Sequence, residues 1–254
     1  MIKKRIIPTL LWSDNNLVKG VNFKNRRQVA DMLTSIKIFN VRDVDEIIIL
    51  DIDNTNLNKT PDLNSIIDFS KNISVPFTYG GGIKSFQDAL DVLKSGADKV
   101  SLNSELYNDI SILNKISKHT GSQSIVASVD FKKINEKFRC VSNSGQKIHE
   151  INPIDFCKLC QDHGCGELLI NAIDREGTMS GYDLEMIEKI RSNVSLPIIA
   201  SGGAGSYQDM FDAFTKDISA VSASSIFSFT ELTPTGAKKF LKKKKIDVRD
   251  GYRY

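Results

Sequence analysis

The chain has 254 residues, of which 41% are hydrophobic, and a formal net charge of only +3 at pH 7. This length allows a large core, and so small a charge gives no reason to expect a nucleic-acid partner. The N-terminus has no apolar run long enough for a signal peptide or a membrane helix. We therefore expect a cytoplasmic protein with no membrane partner, whose four cysteines are reduced thiols.

Short apolar runs predict eight buried strands, and segments with helical periodicity separate most of them. The predicted strands are Arg5–Leu11, Glu46–Asp51, Val75–Tyr79, Asp98–Leu102, Ser124–Asp130, Glu167–Ala172, Leu196–Ala200 and Ala220–Ser224. Helical periodicity is clear over Phe86–Ser95, Asn108–His119, Pro153–His163, Asp183–Ile190 and Gln208–Phe214. Strands that alternate with helices indicate a parallel sheet, and near-continuous apolar strands indicate burial on both faces.

An internal repeat favours a closed sheet over the alternative of a doubly wound open one. The segment Ser74–Gly82, with Lys99–Ser104 after it, reappears 121 residues later as Ser195–Gly203 with Ala220–Ser225. A repeat of about half the chain length is too long for a solenoid unit and indicates a duplicated half-domain. We therefore predict an α/β fold, a (β/α)8 TIM barrel built from two duplicated half-barrels, as a single domain over residues 1–254.

Two other patterns receive structural interpretations. Cys157, Cys160, His163 and Cys165 have the composition of a zinc site, but the first two fall on the apolar stripe of a predicted helix. Cys140 stands alone, without a second pair at knuckle spacing, so we predict buried thiols, no metal site and no cofactor. The basic residues Lys238, Lys239 and 242–245 are interpreted as the solvated end of a last helix.

The ends of the predicted strands carry the candidate chemistry, since (β/α)8 enzymes place their active sites there. Strands three and seven end in Gly81-Gly82 and Gly202-Gly203, and strands four and eight end in Asn103-Ser104 and Ser224-Ser225. Glycines let backbone N–H groups approach an anion, and a following helix directs its positive end there. Two such pairs predict two phosphate sites facing each other across a barrel mouth; the alternative is that the glycines only form tight turns.

Several motifs together resemble HisF, the cyclase subunit of imidazole glycerol phosphate synthase. The resemblance covers essentially the whole chain and rests on 4–7, 18–23, 77–83, 96–101, 173–178, 180–183 and 197–205. It implies a (β/α)8 barrel paired as a heterodimer with a HisH-like glutaminase that supplies ammonia. In that family, ammonia crosses the barrel and reacts with a small phosphorylated substrate, a bis-phosphorylated ribulosyl compound, at the C-terminal face.

The resemblance also implies roles for individual residues. Asp130 matches one of two catalytic aspartates of the family. The remaining positions match substrate- or phosphate-binding residues, with Asn171 standing for a threonine and Glu176 for an aspartate. They are Lys19, Asp51, Gly82, Asn103, Ser104, Ser144, Asn171, Glu176, Gly177, Ser201, Gly203, Ser224 and Ser225.

A second set of charges lies at the starts of predicted strands, at the opposite end of the barrel. The resemblance implies that Arg5, Glu46, Lys99 and Glu167 form an ammonia entrance, and that Asp98 contacts the glutaminase. Glu46 and Glu167 also match each other across the 121-residue repeat. The alternative interpretation is a set of ordinary surface ion pairs.

One position departs from the family pattern. Aligning the two halves places Leu11 opposite Asp130, where the family has its second catalytic aspartate. Leucine cannot transfer a proton, and a general acid–base group contributes about 10²–10⁴-fold in rate. The HisF-like paralogues found with surface-polysaccharide genes also lack this aspartate.

Three hypotheses about function follow. The first is a HisF-type lyase or synthase subunit that conducts ammonia for acetamidino-sugar biosynthesis, with a sugar amidotransferase as a third partner. The second is a genuine cyclase subunit of histidine biosynthesis in which another group replaces the missing aspartate. The third is a non-catalytic scaffold subunit.

Overall fold

The computed structural model describes residues 3–249 and contains a closed barrel. These residues contain twelve strands: β1 (Arg5–Ser13), β2 (Asn16–Val21), β3 (Lys24–Asp31), β4 (Ile47–Asp51), β5 (Phe77–Gly80), β6 (Lys99–Leu102), β7 (Ile125–Ile134), β8 (Lys137–Ser142), β9 (Lys147–Ile148), β10 (Glu167–Ala172), β11 (Ile198–Ser201) and β12 (Ala220–Ala223). The predicted domain includes residues 1, 2 and 250–254, which lie outside the described range, and its single-domain character stays a prediction.

Eight of these strands form the barrel. They follow the order β1, β4, β5, β6, β7, β10, β11 and β12, each parallel to the next. β12 then pairs in parallel with β1, with Arg5 opposite Ala220 and Pro8 opposite Ala223, which closes the sheet. The predicted (β/α)8 fold is confirmed, and each predicted strand lies within a few residues of an observed one.

Helices pack around the barrel and connect its strands. They are α1 (Met32–Asn40), α2 (Leu63–Asn72), α3 (Phe86–Lys94), α4 (Ile112–Thr120), α5 (Pro153–Asp162), α6 (Leu184–Arg191), α7 (Tyr207–Phe214), α8 (Ser225–Phe229) and α9 (Pro234–Lys243). α4 begins four residues later than the predicted Asn108, and a separate 3₁₀ turn over Ser104–Tyr107 precedes it. No helix within residues 3–249 is long and apolar enough to span a membrane.

The internal duplication is visible in the backbone as well as in the sequence. α3 and α7 begin with the same reciprocal capping box, formed by Ser85 with Asp88 and by Ser206 with Asp209. Asn103 and Ser224, which follow equivalent strands, have nearly the same unusual backbone angles, φ −131°, ψ −78° and φ −125°, ψ −75°. The two halves therefore present equivalent strand ends to the mouth of the barrel.

Two antiparallel extensions at the mouth were not predicted from the sequence. β1 runs on to Ser13 and pairs with β2, which pairs with β3. β7 runs on to Ile134 and pairs with β8, which pairs with β9. β3 is largely exposed and polar, and β9 is short and exposed, so neither extension has the continuous apolar character by which the barrel strands are recognised.

The interior of the barrel has a small apolar core of its own. Its buried residues are Ile7, Ile48, Val126, Leu169, Ile199 and Ala220, with the partly buried Leu50 packed against them. The larger core lies between the strands and the helices, where Trp12 packs edge-on against Phe69 with ring centroids 5.1 Å apart.

The cysteines are part of the larger core. Cys140, Cys157, Cys160 and Cys165 are free, buried thiols, the middle two on α5. Burial raises the pKa of Cys140 and Cys165 to about 12, so these thiols are poor nucleophiles at neutral pH. Within residues 3–249, no group of three or more His, Cys, Asp or Glu side chains is arranged to hold a metal ion.

One residue of the basic C-terminal run does not fit its interpretation as solvated surface. Lys238 on α9 is only 3% exposed, and its ammonium group lies 2.8 Å from Asp45 and 3.2 Å from Asp43. Asp45 also accepts the backbone N–H of Ile6 at 2.9 Å. The interpretation is wrong for Lys238, because its side chain turns inward and ties the last helix to the start of β1.

Candidate active site

A cavity of about 330 Å³ opens at the carboxyl ends of the barrel strands. It gathers Leu11 and most of the predicted site residues: Lys19, Asp51, Gly82, Asn103, Ser104, Asp130, Ser144, Asn171, Glu176, Ser201 and Ser224. A much smaller pocket of about 10 Å³ adjoins it and is lined by the remaining three, Gly177, Gly203 and Ser225. Glu176, Ser201 and Ser224 line both spaces, so the two pockets are continuous parts of one mouth.

The first predicted phosphate cradle lies in the larger cavity. Gly81 has φ +115°, and a Cβ atom there would lie 2.2 Å from the carbonyl oxygen of Asp51, so only glycine fits. Gly82 donates its N–H to the Thr55 hydroxyl at 3.2 Å, and Asn103 donates its side-chain amide to the Ser128 carbonyl at 2.9 Å. These groups are held in place at the wall of a space open to a ligand.

The second predicted cradle lies in the smaller pocket and depends on glycine in the same way. Gly203 has φ +103°, and a Cβ atom would lie 2.2 Å from the carbonyl oxygen of Gly181. Gly177 has φ +76° and packs against Gly20 of β2, whose carbonyl oxygen would lie 2.1 Å from a Cβ atom. The loop after β10 is thereby fixed against the hairpin of β2 and β3.

Lys19 is a buried cation that lines the larger cavity. Its ammonium group donates to the Thr9 carbonyl at 3.1 Å and contacts the Ser224 hydroxyl. Burial lowers the pKa of Lys19 to about 8, although the nearby Glu176 carboxylate opposes that change. Lys19 can therefore face an anion as a cation at neutral pH and lose its proton just above it.

Asp130 stands at the mouth near the end of the β7 barrel segment. Its Oδ1 accepts a hydrogen bond from the Asn171 amide at 3.1 Å. Part of its surface is open to the cavity, but the protein around it displaces most of the bulk water. This burial raises the pKa of Asp130 to about 7, and the charge of Glu176 acts in the same direction. A carboxyl group with such a pKa is suited to general acid–base chemistry at neutral pH.

Three other predicted residues lie around the same cavity. Asp51 accepts the backbone N–H groups of Asp53 and Asn54 at 3.0 and 2.9 Å, which orders the turn after β4. Burial raises the pKa of Asp51 despite these hydrogen bonds. The Ser144 hydroxyl accepts from Asn56 at 3.0 Å, and Ser201 ends β11.

Leu11 stands at the strand end that lacks the second carboxylate. It is 9% exposed, lines the cavity, and lies between Val18 of β2 and Leu50 of β4 in the sheet. Leu11 therefore makes its own strand end apolar, although Lys19 and Asp51 line the cavity beside it, whereas Asp130 and Asn171 lie at the opposite strand ends.

The four charges at the strand starts meet at the opposite end of the barrel. Arg5 donates to Glu46 at 2.7 Å and also binds Glu167. Lys99 lies 2.9 Å from an oxygen of each glutamate, so the four side chains close an alternating ring. Burial opposes ionisation of Glu167, but Arg5 and Lys99 prevail and lower its pKa.

Asp98 lies beside this ring at the protein surface. Its side chain accepts the backbone N–H of Phe77 at 2.9 Å, and the residue as a whole is exposed. It is the residue before Lys99, so a partner that contacts Asp98 would also cover the ring.

Comparison with known proteins places this geometry in a family. The model of the family described as "Histidine biosynthesis protein" matches residues 5–233. The chain belongs to this family. It is 36% identical over 250 residues, 98% of this chain and 100% of the relative, to the imidazole glycerol phosphate synthase subunit HisF of Chlorobium phaeobacteroides strain BS1. It is 38% identical over 249 residues to the HisF subunit of Thermotoga sp. strain RQ2, covering 98% of each chain.

A further relative carries a provisional name. The chain is 40% identical over 231 residues, 90% of this chain and 92% of the relative, to the provisionally named imidazole glycerol phosphate synthase subunit hisF2 of Pseudomonas aeruginosa PAO1. The resemblance to HisF inferred from the motifs is thereby confirmed.

Sequence reasoning missed two cations that line the cavity. Lys84 follows the first glycine turn, and its ammonium group lies 2.5 Å from the Asn58 side-chain oxygen. Arg26 extends from β3 and binds Asp53 at 2.6 Å. Lys84 could have been found as the cation next to Gly81-Gly82, but Arg26 reaches the mouth only through the unpredicted hairpin.

Proposed function

We propose that this chain is a HisF-type synthase subunit that receives ammonia from a glutaminase and conducts it through the barrel. The observation that carries the proposal is the placement of the closed ring of Arg5, Glu46, Lys99 and Glu167 at one end and the ligand cavity at the other. A relative named as a HisF subunit of a synthase supports the same assignment.

The ring needs a use beyond stability. Ions buried at the N-terminal end of a barrel are costly to desolvate, and well-packed apolar residues stabilise such a position about as well. A ring of paired charges can instead admit a small polar molecule when one pair separates. We infer that Lys99 is the member that moves, because it holds both glutamates with one ammonium group on a flexible stem, whereas Arg5 holds them with two nitrogens of a rigid guanidinium.

The barrel interior between the ring and the cavity is apolar. It is filled by Ile7, Ile48, Val126 and Leu169, and beside the ring the hydroxyl of Thr78 donates to Glu46 at 3.0 Å. We infer that a molecule entering at the ring passes between these side chains as neutral ammonia, because an ammonium ion would face a large desolvation penalty there. The glutaminase then docks over the ring at Asp98, and the two subunits form a heterodimer.

The mouth supports binding of a small phosphorylated ligand, with one phosphate at Gly82, Asn103 and Ser104 and another at the smaller pocket. Leu11 separates this chain from the cyclase reaction, because one of the two carboxylates of that chemistry is missing. We propose that the delivered ammonia serves acetamidino-sugar biosynthesis for a surface polysaccharide, with a sugar amidotransferase as a third partner. In this proposal Asp130 is the catalytic carboxylate that remains.

Two other functions give different experimental results. A genuine cyclase subunit of histidine biosynthesis turns over the ribulosyl substrate at the rate of its relatives, with another group replacing the carboxylate absent at Leu11. A scaffold subunit binds the glutaminase but gives no product from ammonia with any acceptor.

The test is association with the glutaminase encoded beside this chain, followed by comparison of two ammonia sources. We expect a 1:1 complex at micromolar concentration, lost in Asp98→Lys and kept in Glu231→Lys, which reverses an exposed charge after α8. Lys99→Ala should reduce glutamine-dependent product formation by the complete pathway more than formation from added ammonium. Failure to associate, together with an unchanged glutamine-dependent rate in Lys99→Ala, would refute the conduit.

A further inference from the structure

Glu176 is a buried carboxylate that the fold itself does not use. It is 9% exposed, and within residues 3–249 its side-chain oxygens accept no hydrogen bond and form no ion pair. Its backbone, in contrast, is held on both sides: its N–H donates to Ala172 at 3.0 Å, and its carbonyl accepts from Asn22 at 2.8 Å. A buried carboxylate without such partners is unfavourable, so its presence calls for a functional reason.

The side chain of Glu176 lies where the larger cavity meets the smaller pocket. It lines both the 330 Å³ cavity and the smaller pocket, and Asp130 lines the same cavity from β7. The charge of Glu176 acts on Asp130 and on the buried Tyr182 hydroxyl, and Lys19 acts on Glu176 from β2. Asp130 is also near Cys140 and Tyr107, both with raised pKa values, so neither supplies a charge at neutral pH.

The two half-barrels show what Glu176 can replace. A carboxylate is present at the end of the second half's first strand, as Asp130, and absent from the equivalent position of the first half, Leu11. Glutamate at 176 is one methylene longer than the aspartate that the HisF resemblance leads one to expect, so its carboxylate reaches further from the loop into the mouth. We propose that Glu176 and Asp130 are the acid–base pair of this mouth, with Glu176 supplying the carboxylate that Leu11 does not.

The neighbours of the two carboxyl groups indicate how they would act. The step rests on the proposed function, because it requires ammonia to reach this mouth. Glu176, beside the Lys19 cation, takes a proton from the nitrogen as ammonia forms a bond to an activated carbon of the acceptor. The Asn171 amide donates a hydrogen bond to Oδ1 of Asp130, so the proton of Asp130 is on Oδ2. This proton passes to the departing oxygen as the carbon–oxygen bond breaks. The step is balanced: ammonia and an acceptor that carries an oxygen leaving group react to give an amine-type product and the protonated leaving group.

The first test needs no substrate and uses the full chain with ¹³C-labelled carboxyl groups. In Glu176→Gln, the titration midpoint of Asp130, identified with Asp130→Asn, should fall by at least about half a pH unit, because a coupled pair titrates together. Glu105→Gln should leave it unchanged, since Glu105 also faces the cavity but hydrogen-bonds Asn108 at 3.3 Å. An Asp130 midpoint that is the same in Glu176→Gln as in the parent would overturn the pair.

The second test measures turnover with added ammonium and the ribulosyl cyclase substrate. Glu176→Gln should lower the residual rate by about 10²-fold and remove one limb of the pH profile, whereas Glu176→Asp keeps both limbs. In Leu11→Asp the same Glu176→Gln change should have a smaller effect, because a second carboxylate is present. A Glu176→Gln enzyme with the parental pH profile contradicts the proposal, and a rate too low to measure leaves the titration to decide. Failure of glutaminase binding would refute the proposed function without altering either result.

Discussion

Leu11 and Asp130 hold equivalent places in the two halves of the barrel, and only one of them can carry a proton. Leu11 pairs with Val18 where β1 turns into its antiparallel hairpin, and Asp130 pairs with Val141 where β7 turns into its own. The duplication has therefore kept the backbone of the two strand ends while their chemistry has diverged. The mouth therefore has an apolar side chain at one strand end and a carboxyl group at the equivalent strand end.

Restoring the carboxylate at position 11 should recover part of the cyclase reaction. We expect Leu11→Asp to raise turnover of the ribulosyl substrate with ammonium, by up to the roughly 10²-fold contribution of one acid–base group. Leu50→Asp is the matched control, because Leu50 pairs with Leu11 and lines the same cavity. Steady-state rates of the two variants check this, and equal gains would show a general effect of added charge.

The two glycine turns should each bind a phosphate group. Crystals soaked in concentrated phosphate should show one ion at Gly82, Asn103 and Ser104 and another at the Gly203 turn. Gly203→Ala should remove the second ion, because its Cβ atom would meet the Gly181 carbonyl at 2.2 Å and a φ of +103° strains alanine. Two vacant turns in the parental crystals would instead mean that the glycines serve only the backbone.

Much of this arrangement could be predicted because barrel strands and repeats leave strong sequence signals. The strand ends Asp130 and Ser224 follow directly from the apolar runs. The ring follows from the resemblance to HisF, together with the match of Glu46 and Glu167 across the repeat. The conformation of the mouth could not be predicted in this way, since β2 and β3 are held by pairing with β1 rather than by a pattern of their own. The burial of Lys238 was missed for the same reason: its acidic partners are almost 200 residues away in the chain.

The charged ring should contribute to stability as well as to entry of ammonia. Glu167→Gln leaves Arg5 and Lys99 partly unpaired, and breaking a buried ion pair typically costs about 3–5 kcal/mol. Lys115→Ala, which removes an exposed pair with Asp109, should change the free energy of unfolding by less than about 1 kcal/mol. Urea unfolding of both variants measures the difference, and similar values for the two would contradict a buried network.

The stabilisation contributed by Glu167 should decrease as the pH falls. The pKa of Glu167 is lower in the folded chain than its ordinary value of 4.5, so its contribution is fully present above that value. The contribution is lost as the pH falls further and Glu167 becomes protonated. The difference between the parent and Glu167→Gln should therefore shrink in acid.

The contribution of Asp130 to stability should depend on pH in the opposite direction to that of Glu167. Burial raises the pKa of Asp130 from 3.8 to about 7, so the folded state holds a proton that the unfolded state has released between these values. The contribution of Asp130 to stability therefore falls as the pH rises from about 4 to 7. Asp130→Asn should raise the melting temperature at pH 8 relative to the parent and have a smaller effect at pH 5. Scanning calorimetry at both pH values checks this.

We propose that this chain keeps the ammonia entrance and ligand mouth of a HisF subunit but has lost most of the cyclase chemistry at Leu11. The most direct measurement is turnover of the purified chain with ammonium and the ribulosyl cyclase substrate, beside a HisF relative that has both aspartates. We expect a rate at least about 10²-fold below that of the relative. A rate within a few-fold of the relative would contradict it and identify the chain as a working cyclase subunit.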